Sequence, residues 1–306
     1  MSEIRRHYFL NEYCIVASGR KRRPHDFVKK DKGIRTSAKD CPFCPGNESM
    51  TPPENAVYRL GSGRPWDVRC FDNLYPALNK PHGYHEVIVD TPVHDGSPAG
   101  FSDEEMNLMV EAYRDRFDFY ARKEGISYVS IFKNHGREAG ASIYHSHTQL
   151  IALPLMPPEI ERERSIIKRL DRCPYCSIVD QESGSDRVIL ENREWIAFSP
   201  FYSQVPFEVW ILPRRHINNI TYMDQAQTSS FIRIFRDILS RLRDALEDPA
   251  YNYHFMQTIG EDYHLNIRIL PRTSIRAGFE LNTGVYIITV PPEDAASFLR
   301  EVRGIR

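Results

Sequence analysis

The chain has 306 residues, 41% of them hydrophobic and 26% charged, with a formal net charge of −1. This length can bury one large core or two ordinary ones, and the charge balance argues against nucleic acid as a partner. No run of about 18 apolar residues is present to span a bilayer, and the first residues lack an apolar signal region, so a cytoplasmic enzyme is expected.

The basic run Arg20-Lys-Arg-Arg23 comes first and by itself reads as a solvated charge run. Cys41-Pro-Phe-Cys44 follows, the first of two CxxC pairs; the second is Cys173-Pro-Tyr-Cys176. In a cytoplasmic chain such pairs read as metal or redox before structural disulfide. Cys14 and Cys70 are left over and read as buried small apolar residues. An apolar strand after His85 leads to His94. Ser102 and Glu105 form a capping box, and Met106, Met109, Val110, Tyr113, Phe117 and Tyr120 then fall on one helical face. A strand from Tyr128 precedes the segment from Asn134 to Gln149, which holds His145, His147 and two glycines, Gly136 and Gly140. Prolines and a charged helix, Glu159 to Arg169, fill Pro154 to Arg172, where a seam is expected.

The landmarks then recur in the same order. Cys173/Cys176 stand 132 residues after Cys41/Cys44, His216 stands 122 after His94, and His264 stands 119 after His145. A second amphipathic helix carries Phe231, Phe235, Ile238, Leu239, Leu242 and Leu246, and a strand near Tyr253 follows. The pattern implies an α+β chain of two tandem halves, 1–160 and 161–306, each an antiparallel sheet with one long helix.

Zinc takes four N or S ligands in a tetrahedron. The duplication nominates Cys41, Cys44, His94 and His145 for one ion and Cys173, Cys176, His216 and His264 for another. With four protein ligands each, both sites would be closed and structural. In a strand, residues two apart share a face, so His145, His147 and Gln149 should line one surface. If His145 is held on metal, His147 stays available as a nucleophile, because a neutral imidazole carries a lone pair. Gly136 and Gly140 let the backbone come close to a ligand. Ser142 and Gln149 can donate to phosphate oxygens as charge shifts. In the second half Asn266 replaces the free histidine, so that half should be silent.

Together these residues resemble the histidine-triad superfamily, in particular the galactose-1-phosphate uridylyltransferase family, over nearly the whole chain. The resemblance implies two histidine-triad-like halves and a ping-pong transfer through a covalent nucleotidyl-histidine on His147. It implies that a UMP group passes from UDP-glucose to a hexose 1-phosphate such as galactose 1-phosphate. Arg20, Arg23, Ser142 and Gln149 would hold phosphates, Asn73, Asn134 and Gly140 would position substrate, and Phe279 and Glu280 would contact the hexose, commonly across a homodimer interface. Three departures stand out. Ser146 lies between the two histidines where the family commonly has proline. Leu74 follows Asn73 where known uridylyltransferases carry an acidic residue. Leu74, the second CxxC and the segment from Gly278 to Ile287 resemble the ADP-glucose phosphorylase branch. An adenylyl-transferring enzyme and a zinc-stabilised binding protein without turnover are the other readings.

Overall fold

A computed structural model describes residues 2–20, 37–61, 63–260 and 263–302, with the side chain of Arg20 left out. The strands in chain order are β1 (Ser2–Arg6), β2 (Tyr13–Ala17), β3 (Glu54–Tyr58), β4 (Val68–Asp72), β5 (Tyr84–Val89), β6 (Tyr128–His135) and β7 (His147–Leu153), then β8 (Val188–Glu191), β9 (Trp195–Phe198), β10 (Val209–Pro213), β11 (Tyr251–Met256), β12 (Asn266–Pro271) and β13 (Tyr286–Ile288). The helices are α1 (Asp103–Ala121), α2 (Pro158–Ile167), α3 (Pro174–Glu182), α4 (Gln225–Ala245), α5 (Gly278–Thr283) and α6 (Pro292–Glu301).

Ten strands make one antiparallel sheet in the order β3-β4-β5-β7-β6-β11-β12-β10-β9-β8. From either edge the order is the same: three consecutive strands, then the last two exchanged. The two runs meet where β6 pairs with β11, setting Lys133 opposite Tyr253 and Phe132 opposite His254. The fold is therefore α+β, as expected from separated runs of strands and helices.

Alternation along the central strands divides the sheet into two unlike faces. Val129, Ile131, Leu150, Tyr253, Phe255, Ile267 and Ile269 turn to one side and join a core with α1 and α4. Both helices begin at capping boxes, Ser102 with Glu105 and Asp224 with Gln227, each satisfying two otherwise orphaned N–H groups. Every apolar residue expected on the two helical stripes is buried. The opposite face carries His147, Gln149, Asn134, Asn252, His254 and Arg268, which places polar chemistry on the side the long helices do not cover.

The charged helix after the prolines runs from Pro158 to Ile167, two residues short of the expected end. Cys14 and Cys70 are fully buried. The N-terminal hairpin β1–β2 pairs with β13 near the other end of the chain. Its following residues pack on the second half: Phe9 meets Tyr175 edge-on, and the Tyr8 hydroxyl donates to Glu182 at 2.8 Å. Among the described residues, no helix is long and apolar enough to cross a membrane.

Candidate active site and metal centres

The CxxC turn of the first half is closed by Cys44 N–H to the Cys41 carbonyl at 3.2 Å and is braced by Asn47 Nδ2 on the same carbonyl at 2.8 Å. It faces His94, beyond β5, and His145, just before β7. Cys41 Sγ and Cys44 Sγ both lie 3.5 Å from His145 Nδ1, and Cys44 Sγ lies 3.2 Å from His94 Nδ1. A tetrahedral zinc-sized ion, bound at about 2.3 Å to sulfur and about 2.0 Å to nitrogen, would hold S and N about 3.5 Å apart. His145 Nε2 donates to the Thr91 carbonyl at 2.7 Å, which leaves the Nδ1 lone pair for an ion and orients the ring. Burial lowers the His145 pKa to about 4, favouring the neutral form that a ligand needs.

The second set repeats this. Cys176 Sγ lies 3.5 Å from both His216 Nδ1 and His264 Nδ1, Cys173 Sγ lies 3.8 Å from His264 Nδ1, and His264 Nε2 donates to the Pro213 carbonyl at 3.0 Å. In each group the four donor atoms lie within 4.8 Å of one another. All eight residues nominated from the sequence are thus brought together as two Cys2His2 groups that could hold a metal ion. The first group is largely buried, while His216 of the second is exposed.

His147 opens β7 beside the first group. Its Nδ1–H donates to the carbonyl of His145 at 2.8 Å. That bond selects the tautomer and puts the lone pair on Nε2. Burial, reinforced by the Lys133 charge, lowers the His147 pKa to about 4, so the ring is neutral near pH 7. His145 itself lies outside the regular strand, so the expected shared face holds for His147 and Gln149 but not for His145. The chain between Ala141 and Ser146 is irregular, and this frees His145 to turn to the thiols.

A cavity of about 170 Å³ stands over His147, lined also by Gln149, Ser142, Asn73, Leu74, Phe43 and Phe71. Phe43, the residue inside the first CxxC, meets the His147 ring edge-on with centroids 5.2 Å apart. Beneath the strand, Lys133 Nζ donates to Asp90 Oδ2 at 2.6 Å, Ser146 Oγ at 2.8 Å and the His147 carbonyl at 2.9 Å. All three ammonium protons are therefore used, one of them on the backbone of His147 itself. Burial pulls this lysine below its ordinary pKa, and Asp90 opposes the shift.

Of the remaining sequence-nominated residues, Asn134 and Gly140 do not line this cavity; Asn134 accepts from Asn252 Nδ2 at 2.7 Å and its Nδ2 lies near Gly140. Phe132 pairs with Gln149 at the last paired rung between β6 and β7, and the same register carried two residues on would set Asn134 opposite His147. Gly140 has φ +91° and Gly136 φ +78°, conformations that L side chains rarely adopt, so glycine is needed there. Phe279 and Glu280 do not line the cavity in this chain. They lie on α5, where Glu280 Oε2 accepts from the Ala277 N–H at 3.0 Å and Phe279 is 44% exposed. Arg23 lies outside the described residues, and so does the side chain of Arg20.

Sequence reasoning passed over Phe43, His85, Asp90, Lys133 and Asn252. Lys133 carried a readable signal. It falls in register with Val129 and Ile131 on the apolar face of β6, and a cation in that register requires a buried partner.

Comparison with known proteins gives consistent relatives. A family model described as a domain of unknown function (DUF4921) matches residues 99–302, and the N-terminal domain of another, DUF4931, matches residues 26–156. An ADP-glucose phosphorylase of Arabidopsis thaliana is 31% identical, with 98% of this chain and 93% of that protein aligned. A galactose-1-phosphate uridylyltransferase of Thermotoga maritima is 27% identical, with 98% of each chain aligned. The crystal structure of an Arabidopsis thaliana ADP-glucose phosphorylase with bound ADP-glucose is similar with a TM-score of 0.85 and 30% identity, covering 99% of this chain and 100% of that one.

Proposed function

Because the chain belongs to the family of galactose-1-phosphate uridylyltransferases and ADP-glucose phosphorylases, which are enzymes, we propose that it transfers a nucleoside monophosphate through His147. The observation that carries this reading is the His147 Nδ1–H bond to the His145 carbonyl, which leaves the Nε2 lone pair as the nucleophile in a cavity with hydrogen-bond donors. Nε2 attacks the α-phosphorus of a nucleotide sugar. An N–P bond forms as the P–O bond to the sugar 1-phosphate breaks, and the leaving group departs with the bonding pair. A phosphate oxygen of the acceptor then attacks the same phosphorus and returns His147 to its neutral state. Ser142 and Gln149 donate to the phosphoryl oxygens, Asn73 and Asn134 position the substrate, and the Gly140 turn admits it closely. Arg20 and Arg23 contribute phosphate contacts.

Two nucleotides fit this chemistry. In one reading UMP passes from UDP-glucose to a hexose 1-phosphate, as the similarity to uridylyltransferases supports. In the other an adenylyl group passes from ADP-glucose to phosphate. Leu74 in the cavity wall supports the second, since it offers no carboxylate there, as does the similarity to the ADP-glucose phosphorylases. Separate incubations with UDP-glucose and ADP-glucose, each labelled in the α-phosphate, decide between them. Acid-labile, base-stable label on the protein is expected from one donor. Galactose 1-phosphate should discharge a uridylyl label, and inorganic phosphate an adenylyl label. Absence of label from both donors would contradict the transfer reading.

Zinc in both Cys2His2 groups is part of the proposal, supported by S···N distances of 3.2 to 3.8 Å, with a structural role for each ion. So is a duplicated histidine-triad-like origin, residues 1–160 and 161–306, supported by the matching strand order from the two sheet edges. A homodimer would place Phe279 and Glu280 at the partner's sugar site. Exposed Ile275, Phe279 and Leu281 around α5 supply the apolar surface for it.

A further inference from the structure

An amide side chain can present either its carbonyl or its NH2, and only the NH2 stabilises a phosphoryl oxygen. Around His147 this choice is made upstream, by groups that can only donate. The Ala77 N–H donates to His85 Nδ1 at 3.0 Å. Burial holds His85 below its ordinary pKa, in the neutral form, and a neutral imidazole that accepts at Nδ1 carries its proton on Nε2. That Nε2–H donates to Gln149 Oε1 at 2.9 Å. The Gln149 carbonyl is occupied, and its NH2 is left for the cavity.

A second chain of bonds reaches Asn134 from the other half. Arg272 Nε, a donor only, bonds Asn252 Oδ1 at 2.5 Å. Asn252 Nδ2 therefore donates, to Asn134 Oδ1 at 2.7 Å and to the Ala139 carbonyl at 2.8 Å. With its oxygen held, Asn134 turns its NH2 toward the Gly140 turn; Nδ2 lies 3.8 Å from where a Cβ on Gly140 would stand. Asn73 behaves likewise. Its Oδ1 accepts from the Tyr75 N–H at 2.9 Å, so its Nδ2 faces the protonated His85 Nε2 at 3.1 Å, donor to donor.

We propose that His85, Asn252 and Arg272 are positioning residues that fix the polarity of Gln149 in the cavity wall and of Asn134 beside the Gly140 turn, so that amide N–H groups are turned toward a phosphoryl anion held at His147. The inference rests on the transfer reading only for the identity of that anion. It gives strand β11, which pairs with β6, a role at a site whose nucleophile lies on β7.

The test uses inorganic pyrophosphate and isothermal titration of the full-length His147→Asn protein, so that no covalent step intervenes. Sodium chloride at about 1 M reduces the Debye length to about 3 Å and screens simple charge effects. His85→Leu and Asn252→Ala should each weaken binding about tenfold, as loss of one oriented donor implies. His85→Gln keeps a donor to Gln149 and should restore affinity to within about threefold of the parent. Asn252→Asp still pairs with Arg272 but can only accept. It reverses Asn134 and should bind more weakly than Asn252→Ala, while keeping the higher melting midpoint of the two. A purely structural role for Asn252 predicts the opposite order of affinities. Tighter binding by Asn252→Asp than by Asn252→Ala, or His85→Gln as weak as His85→Leu, would overturn the proposal. Nucleotidyl labelling of the unsubstituted protein reports separately on the transfer reading. Its failure with the pyrophosphate order intact would sink that reading alone.

Discussion

Replacing Lys133 by methionine probes what holds the nucleophile in place. The two chains are similar in length, so the cavity term is small and electrostatics decide the outcome. Lys133 and Asp90 side chains are 1% and 0% exposed. Removing the cation strands the Asp90 carboxylate among Ser146 Oγ, Thr148 Oγ1 and the Tyr113 hydroxyl, at 3.0, 3.4 and 3.0 Å. Breaking a buried pair from one side costs about 3–5 kcal/mol, whereas removing both charges together is often near neutral. Lys133→Met should therefore lose about 3–5 kcal/mol, roughly 5–8 °C in melting midpoint for a chain of this size. The double variant Lys133→Met/Asp90→Asn should recover most of the loss. Urea unfolding of the metal-loaded protein, with calorimetry alongside, measures both. Labelling at His147 should fall in both variants, because each lacks the donor to the His147 carbonyl. A single variant within about 1 kcal/mol of the parent, or a double variant no better than the single, would refute the reasoning.

Two other expectations concern the metal groups and the N-terminal hairpin. Phe43 of the first CxxC packs on His147, while the corresponding Tyr175 lies against Trp210 and His264. Cys41→Ser should thus lose one metal equivalent and labelling together, and Cys173→Ser one equivalent and stability with labelling retained. Elemental analysis beside labelling checks this, and equal loss of labelling in both would contradict it. Glu293 is partly buried, which would raise its pKa, but hydrogen bonds from Arg5 and Arg187 prevail and lower it. A carboxylate held low in the folded state adds stability above its unfolded pKa and loses it as pH falls through the folded one. Glu293→Gln should destabilise by on the order of 1 kcal/mol at about pH 7 and by clearly less at about pH 2. Melting curves at both pH values decide it, and an equal deficit at both would count against the linkage.

The two Cys2His2 groups were legible because the motifs recur in the same order along the sequence. A lone CxxC says little, but Cys41/Cys44 and Cys173/Cys176, each followed by two histidines in the same order, define both donor sets. The long helices were legible from capping boxes and stripes, which are local features. Comparing His264 with Asn266 singled out His145 as the shared residue, and the structure sets it in a Cys2His2 group while His147 opens β7 beside it. What escaped were residues whose roles depend on distant pairing. His85 matters through Gln149, 64 positions away, and Asn252 through Asn134, 118 positions away. No local pattern reports the register that joins β6 to β11. Phe279 and Glu280 show the converse. The family resemblance nominated them, yet they lie on α5 and do not line the cavity over His147.

The most direct test of the account is where a transferred nucleotide becomes attached. Protein incubated with UDP-glucose or ADP-glucose, digested at alkaline pH and mapped by mass spectrometry, should carry one nucleoside monophosphate on the peptide containing His147. The adduct should be absent from His147→Asn protein that retains both metal equivalents. An adduct on any other residue, or undiminished labelling of His147→Asn, would contradict it.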